Sequence, residues 1–360
     1  MKVLVTGGCG FLGSHVCEFY RKRGDEVIAY DNMTKHELAR TGYATEQARR
    51  YNADFLRSIG ATIIEEDIRD YERLLRATQG CDFLVHTAAQ PAMTISLEDV
   101  DLDFSTNVTG TLHVLKAARH YRIPLVSCSS VHVYGNQINN TLQEQATRFT
   151  AEPQDIDEAY PTMRGLLTPL HASKHSAESY VQAFIDSYEV EAANFRLTGF
   201  YGPRQFGGED HGWVANFCIR AALGWPITIF GTDKQVRDIL YVQDVVNAIH
   251  AFYEQRKPGT YNIGGGYAHA ISLKECLDII SHTLKKSLDI QMQPARKGDL
   301  WYFVCNSAKA EHALGWTPHV SPATGIEKLL TWIQENRTCF QENNKANASS
   351  TEHAKGGVQV

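Results

Sequence analysis

The chain has 360 residues with a formal net charge of −6, and 43% of them are hydrophobic. That length supports two domains' worth of core, or one large domain with an appended lobe, and the acidic balance argues against a nucleic-acid surface. No apolar run reaches transmembrane length, and a strand pattern stands at the N-terminus in place of a signal peptide, so no membrane partner and a cytoplasmic setting are expected.

The first element is the most informative. Val3-Leu4-Val5-Thr6 reads as a short apolar strand and runs into Gly7-Gly8-Cys9-Gly10-Phe11-Leu12-Gly13. Leu12, Val16, Phe19 and Tyr20 then recur at the spacing of one helix face. A strand, a glycine turn and a helix in that order suit a dinucleotide pyrophosphate. Glycines let the backbone approach the phosphates, and the helix N-terminus offers free N–H groups and the positive end of its dipole. The spacing is Gly-x-x-Gly-x-x-Gly rather than the commoner form, and the flanking strand and helix supply the context that a glycine triplet alone lacks.

A second strand, 26–30, ends at Asp31-Asn32. An acid there accepts the adenosine ribose hydroxyls and repels a 2′-phosphate, so NAD is expected over NADP. Residues 32–60 form a polar insert, expected to be helical and exposed. A third strand, 62–64, leads to Asp67-Ile68, and a fourth, 82–86, leads to Thr87-Ala88-Ala89-Gln90, where small side chains let the backbone pass beside the cofactor. Residues 102–120, with Asn107, read as a long helix, and 125–130 as the next strand and its exit. Residues 136–169 are irregular, and loops of this length are usually functional or disordered. A helix follows at 172–188. Small elements at 300–336 end in a helix at 326–334, and from Arg337 onward the apolar period stops, so a disordered tail is expected. The eight cysteines are scattered, without metal-ligand spacing, and read as mostly buried thiols. Cys9 lies inside the glycine loop, where oxidation or alkylation would disable it.

Strand and helix patterns alternate from residue 1 to about 200, which predicts an α/β fold with a Rossmann-type, doubly wound parallel sheet. Ala88-Ala89-Gln90-Pro91-Ala92-Met93-Thr94-Ile95-Ser96, Arg204-Gln205-Phe206 and Asp210-His211-Gly212-Trp213-Val214 resemble the sugar-nucleotide epimerases and dehydratases of the extended short-chain dehydrogenase/reductase superfamily. So do Gln235-Val236-Arg237-Asp238 and Tyr261-Asn262-Ile263-Gly264-Gly265. Within that group the chain is most similar to the CDP-paratose 2-epimerase branch, with 204–214 as the most specific segment.

The resemblance covers about residues 1–336. It implies a cofactor-binding domain at 1–195, to which parts of 218–250 return, a smaller substrate-binding C-terminal lobe at 196–336, and a tail at 337–360. It implies NAD at Gly7, Gly10, Phe11, Leu12, Gly13, Asp31, Asn32, Asp67, Ile68, Ala88, Ala89, Gln90, Asn107 and Lys174. A nucleotide-diphosphate sugar is implied at Met93, Thr94, Arg204, Gln205, Arg237 and Arg296. The arginine fork suits phosphate oxygens. Gly199 stands where many UDP-sugar enzymes carry Asn. A homodimer is implied through the helices at 102–120 and 172–188, with Tyr180, Val181, Phe184 and Ile185 as the apolar stripe.

The superfamily's chemistry uses a Ser or Thr, a Lys, and a Tyr four residues before the Lys. Ser130 and Lys174 fall on the first two positions. Leu170 falls on the third, and leucine accepts no proton. Stand-ins are His171, beside the vacancy but turned about 100° from it on a helix, and His132, two residues after Ser130. Tyr160, Glu144 and Glu158 in the variable loop are further options. An imidazole has an ordinary pKa of about 6.5, suited to a base near neutral pH. The expected activity is an NAD-dependent epimerase of a nucleotide sugar. A dehydratase that begins with the same oxidation, and a catalytically silent binder of NAD and sugar nucleotide, are the alternatives.

Overall fold

Val3, Leu4 and Val5 are all fully buried, because their strand lies inside a sheet covered on both faces. The structure, a computed structural model, describes residues 1–340 apart from 37, 39, 40, 44 and 297, and only the backbone at 45, 46 and 49. Seven strands make the sheet: β1 (Lys2–Thr6), β2 (Glu26–Tyr30), β3 (Thr62–Ile64), β4 (Phe83–His86), β5 (Leu125–Ser130), β6 (Ala192–Leu197) and β7 (Gly259–Ile263). Their order is β7-β6-β5-β4-β1-β2-β3, and every pair is parallel. The order reverses between β1 and β4, which opens a crevice beyond their C-terminal ends.

Alternate side chains feed two cores. Val3 and Val5 pack with Val16 and Tyr20 of the helix Phe11–Lys22 and with Val245, Ile249 and Phe252 of the helix Val242–Gln255. Leu4 packs on the other face with Leu74, Val114, Leu115, Val181 and Phe184. The doubly wound parallel sheet expected from the sequence is therefore the observed fold. The helix expected at 102–120 runs from Val100 to Tyr121 and contains a π turn at Ser105–Gly110. The helix expected from 172 begins at Pro169 and runs to Tyr188, so Leu170 and His171 lie in its first turn. Among the described residues no helix is long and apolar enough to cross a membrane.

The lobe has its own core, built from Trp213–Leu223, Leu273–Leu284 and Pro322–Glu335. Several expectations need correction here. The strand β6 runs on to Leu197, and the chain returns to the sheet through the helix Val242–Gln255 and strand β7, beyond residue 250, whereas Trp213–Leu223 stays in the lobe. The polar insert is not simply exposed: Leu38, Tyr43, Ala48, Ala53 and Leu56 are buried, the last three on the helix Thr45–Ser58. The tail does not start at 337. Arg337–Phe340 forms a short turn, and the fully buried Phe340 packs its ring on Tyr43, Phe206 and Trp332. The rest of the expected tail, 341–360, lies outside the described residues. The apolar stripe is also wrong. Val181 and Phe184 point into the core and Ile185 packs against it, which leaves only Tyr180 exposed.

Candidate active site

One cavity of about 600 Å³ joins the crevice of the sheet to the lobe. It is lined by Gly7, Gly10, Phe11, Leu12, Asp31, Asn32, Asp67, Ile68, Ala88, Ala89, Gln90 and Lys174 of the expected cofactor set. Ser130, His132, Leu170, Met93, Arg204, Gln205, Arg237 and Arg296 line it too. Gly13, Asn107, Thr94 and His171 do not, and each has another task.

The glycines divide their work. Gly7 has φ +67°, and a Cβ there would lie 2.6 Å from the Ala88 backbone nitrogen, so glycine lets β1 end against the exit of β4. A Cβ on Gly13 would lie 2.1 Å from the Gly7 carbonyl oxygen, so Gly13 serves the helix–loop approach rather than the cavity wall. Gly10 is the N-cap of Phe11–Lys22, and no side chain caps this end or places an acid in its first turn. The first-turn N–H groups and the dipole are thus available to an anion.

Asp31 is buried at the tip of β2. It accepts the Cys9 N–H at 2.9 Å and the Met33 N–H at 2.8 Å. Lys35, unforeseen in the sequence, donates from Nζ to the Cys9 carbonyl at 2.9 Å and also lines the cavity. The Cys9 peptide is thereby held from both sides. Cys9 itself is not reactive as expected: it is fully buried, and burial foremost pushes its thiol up to about 12. Asp67 accepts from Asn32 and Arg69. Burial would raise its pKa, but these bonds outweigh it and hold the carboxyl at about 2.

At the reaction end, Ser130 terminates β5, and its Oγ accepts the His132 N–H at 3.2 Å. His132 sits in the turn Val131–Tyr134 and faces the cavity. Burial first, then the nearby His171, Arg237 and Lys174, pull its pKa down to about 3, so its ring is neutral near pH 7. Lys174 lies one helical turn beyond Leu170, and burial lowers its pKa against the opposing pull of Cys128 and Asp103. Leu170 is buried in the cavity wall.

His171 is turned away and does not reach the cavity. Its Nδ1 accepts the Thr168 N–H at 3.0 Å and lies 2.7 Å from Thr168 Oγ1, in a capping box that closes the helix start. Its ring meets His132 edge to face at 5.4 Å. Tyr160, Glu144 and Glu158 do not line the cavity either. Asn107 is also indirect: it accepts the Gln90 N–H and donates to Gln90 O and Ser173 Oγ, which pins the β4 exit to the Lys174 helix.

Arg237 is only loosely paired, with Asp299 at 3.8 Å, and lines the cavity. Arg296 donates to the Glu209 carbonyl at 2.9 Å, lies 3.3 Å from Asp210 Oδ1 and stacks on Phe230. Thr94 does not line the cavity but donates to Asp210 Oδ2 at 2.8 Å, so Asp210 links the two sides of the crevice. Its place there follows from tertiary contact across 116 residues, which no local pattern announces. Arg204 departs from expectation most. Although it borders the cavity, its guanidinium is committed to Glu18 at 2.7 Å and Ser14 at 3.3 Å and lies over the Phe55 ring. It fastens the 204–214 segment to the first helix. At Gly199 a Cβ would meet only Trp213 Nε1 at 3.4 Å, and this indole lines the cavity.

The family described as "NAD dependent epimerase/dehydratase family" matches residues 3–264 of the chain. The CDP-paratose 2-epimerase of Salmonella typhi is 33% identical over 348 residues, covering 92% of this chain and 99% of that protein. The solved Thermus thermophilus UDP-glucose 4-epimerase in complex with NAD is similar at TM-score 0.75 and 32% identity, covering 93% of this chain and 99% of that one. The Thermotoga maritima UDP-glucose 4-epimerase with UDP-glucose gives TM-score 0.77 at 27% identity, covering 94% and 100%. The residues present fit NAD: the helix N-terminus is uncapped, Gly10 adds no side chain before it, and Asp31 is placed at the end of β2. This chain belongs to the NAD-dependent epimerase/dehydratase family and is an enzyme of that kind, with NAD as its cofactor.

Proposed function

We propose that the enzyme epimerises a nucleotide-diphosphate sugar, a CDP-hexose or a close NDP relative, by transient oxidation and re-reduction at one sugar carbon. The observation that carries this reading is the single cavity lined at once by the glycine loop, by Ser130, His132 and Lys174, and by Arg237 and Arg296. The CDP preference rests on the Salmonella typhi relative, which is named for a CDP sugar. NAD supplies the acceptor, and then the donor, of a hydride. The two arginines bind the diphosphate. The Ser130 hydroxyl shares the hydrogen bond of the reacting sugar hydroxyl. Neutral His132 takes that proton in place of the missing Tyr, and the positive charge of Lys174 acts on the sugar oxygen, where it stabilises the negative charge left behind, while it opposes the charge gained by His132. The oxidised sugar turns over before re-reduction on its other face.

The same reading makes the enzyme a homodimer, through side chains other than the stripe expected from the sequence. Leu97, Val100 and Phe104 are more than half exposed, at 58%, 53% and 56%, and their helices pack against Pro169–Tyr188, which exposes Tyr180.

The test is direct. Purified protein is heat-denatured and released NAD is quantified, and the native protein is incubated with CDP-, UDP-, GDP- and dTDP-hexoses. Released NAD together with an epimerised sugar is the expected result. A protein that holds NAD and leaves every sugar unchanged would sink the epimerase reading.

A further inference from the structure

Behind the cavity wall lies a buried ionic network with no place in the chemistry above. Glu178 and Arg196 form an ion pair whose side chains are each only 8% exposed. Arg196 Nε donates to Glu178 Oε1 at 2.9 Å, and a second guanidinium nitrogen reaches the same oxygen. The other carboxylate oxygen accepts from Ser129 Oγ at 3.3 Å. Arg196 also donates to Tyr134 Oη at 2.8 Å, and its guanidinium lies over the Tyr134 ring. Tyr134 Oη in turn donates to Asn262 Oδ1 at 2.8 Å, on β7.

Each anchor point is next to a residue of the reaction end. Glu178 is four residues after Lys174, on the same helix face. Ser129, which precedes Ser130, is the ladder partner of Arg196. Tyr134 closes the turn that carries His132. We propose that Glu178 and Arg196 are positioning residues: the pair fixes the rotation of the helix Pro169–Tyr188, and so the aim of Lys174, against the Ser130–His132 turn. This rests on the assignment of Ser130, His132 and Lys174 to the reaction.

Physical chemistry favours positioning over stabilisation. A buried ion pair is generally no more stabilising than well-packed apolar side chains of the same volume, because desolvation offsets the attraction. It does impose one geometry. Besides the Asn107–Ser173 hydrogen bond, this helix buries the apolar Ala177, Val181 and Phe184, and such packing tolerates small shifts more readily than a guanidinium fork does. An error of about 1 Å in a catalytic group is enough to cost on the order of a hundredfold in rate.

The test uses the NAD-loaded enzyme. Glu178→Gln alone leaves a buried guanidinium unpaired and is liable to unfold, so the deciding variant is Glu178→Met with Arg196→Met, which removes both charges. Four quantities are measured: NAD per chain, thermal unfolding, kcat and KM, and the rate at which acetic anhydride labels Lys174 as a function of pH, read by peptide mass spectrometry. The expected double variant stays folded, keeps NAD and KM, loses about tenfold or more in kcat, and shows Lys174 labelling altered by about threefold or more. Wild-type kcat together with wild-type labelling overturns the proposal. Loss of fold or of NAD along with activity also overturns it, because the pair is then a fold element. If the wild type turns over no nucleotide sugar, the epimerase reading fails, and the labelling still decides whether the pair aims Lys174.

Discussion

Gly10 and Gly13 look equivalent in the sequence and are not equivalent in space. A Cβ on Gly13 would collide with the Gly7 carbonyl oxygen, whereas one on Gly10 would approach it to 3.0 Å at the cavity rim. Gly13→Ala is therefore expected to lower the thermal unfolding temperature more than Gly10→Ala does. Gly10→Val is expected to keep the fold and lose co-purified NAD, because the new side chain occupies the approach to the helix N-terminus. Cofactor released on heating measures this, and wild-type NAD in Gly10→Val would show the phosphate loop to be elsewhere. Arg204 makes a similar point. Its residue type suits phosphate, but its partners are Glu18 and Ser14, and that commitment belongs to the fold.

Two short elements separate the roles of two histidines that are neighbours in space. His171 caps a helix, and His132 faces the cavity from a turn. His171→Ala should cost about 1 kcal/mol of stability, the usual effect of a lost cap, while turnover persists. His132→Ala should keep NAD and lower turnover by about a hundredfold or more, as expected for a general base. Burial and the surrounding positive charge hold the His132 pKa at about 3, so it protonates only well below neutral pH. Its loss should therefore remove activity evenly between pH 5 and pH 8 rather than erase an acid limb in that range. Full activity in His132→Ala would assign the proton to another group, and a limb near pH 6.5 that disappears with it would show that His132 titrates well above this value.

At the scale of the molecule, the sheet and the lobe share their chain repeatedly, because β7 and the helix Val242–Gln255 return to the sheet after the lobe has begun. The cavity between them is then a product of both cores. The outward face of the helices Met93–Glu98 and Val100–Phe104 carries Leu97, Val100 and Phe104 in solvent, an uncommon concentration of large apolar groups. Phe104→Glu is expected to convert the proposed dimer to a monomer in sedimentation at micromolar concentration without loss of bound NAD. A wild-type monomer under the same conditions would contradict the dimer.

The elements most legible in the sequence were those whose information is local. β1, the glycine turn and the first helix follow from contiguous side chains, a period of 3.6 and backbone freedom at Gly7, and Asp31 follows from its place at the end of β2. What only the tertiary structure decided is direction and partnership. Val181 and Phe184 look like an interface stripe until a sheet packs on them, and the polar 32–60 insert looks exposed until Leu38, Tyr43 and Leu56 meet the two cores. Arg196 reads as an ordinary strand residue until Glu178, 18 positions earlier, is folded against it. Periodicity tells which side chains share a face. What that face meets is set by contacts between residues far apart in the chain, and these exist only once the elements have docked.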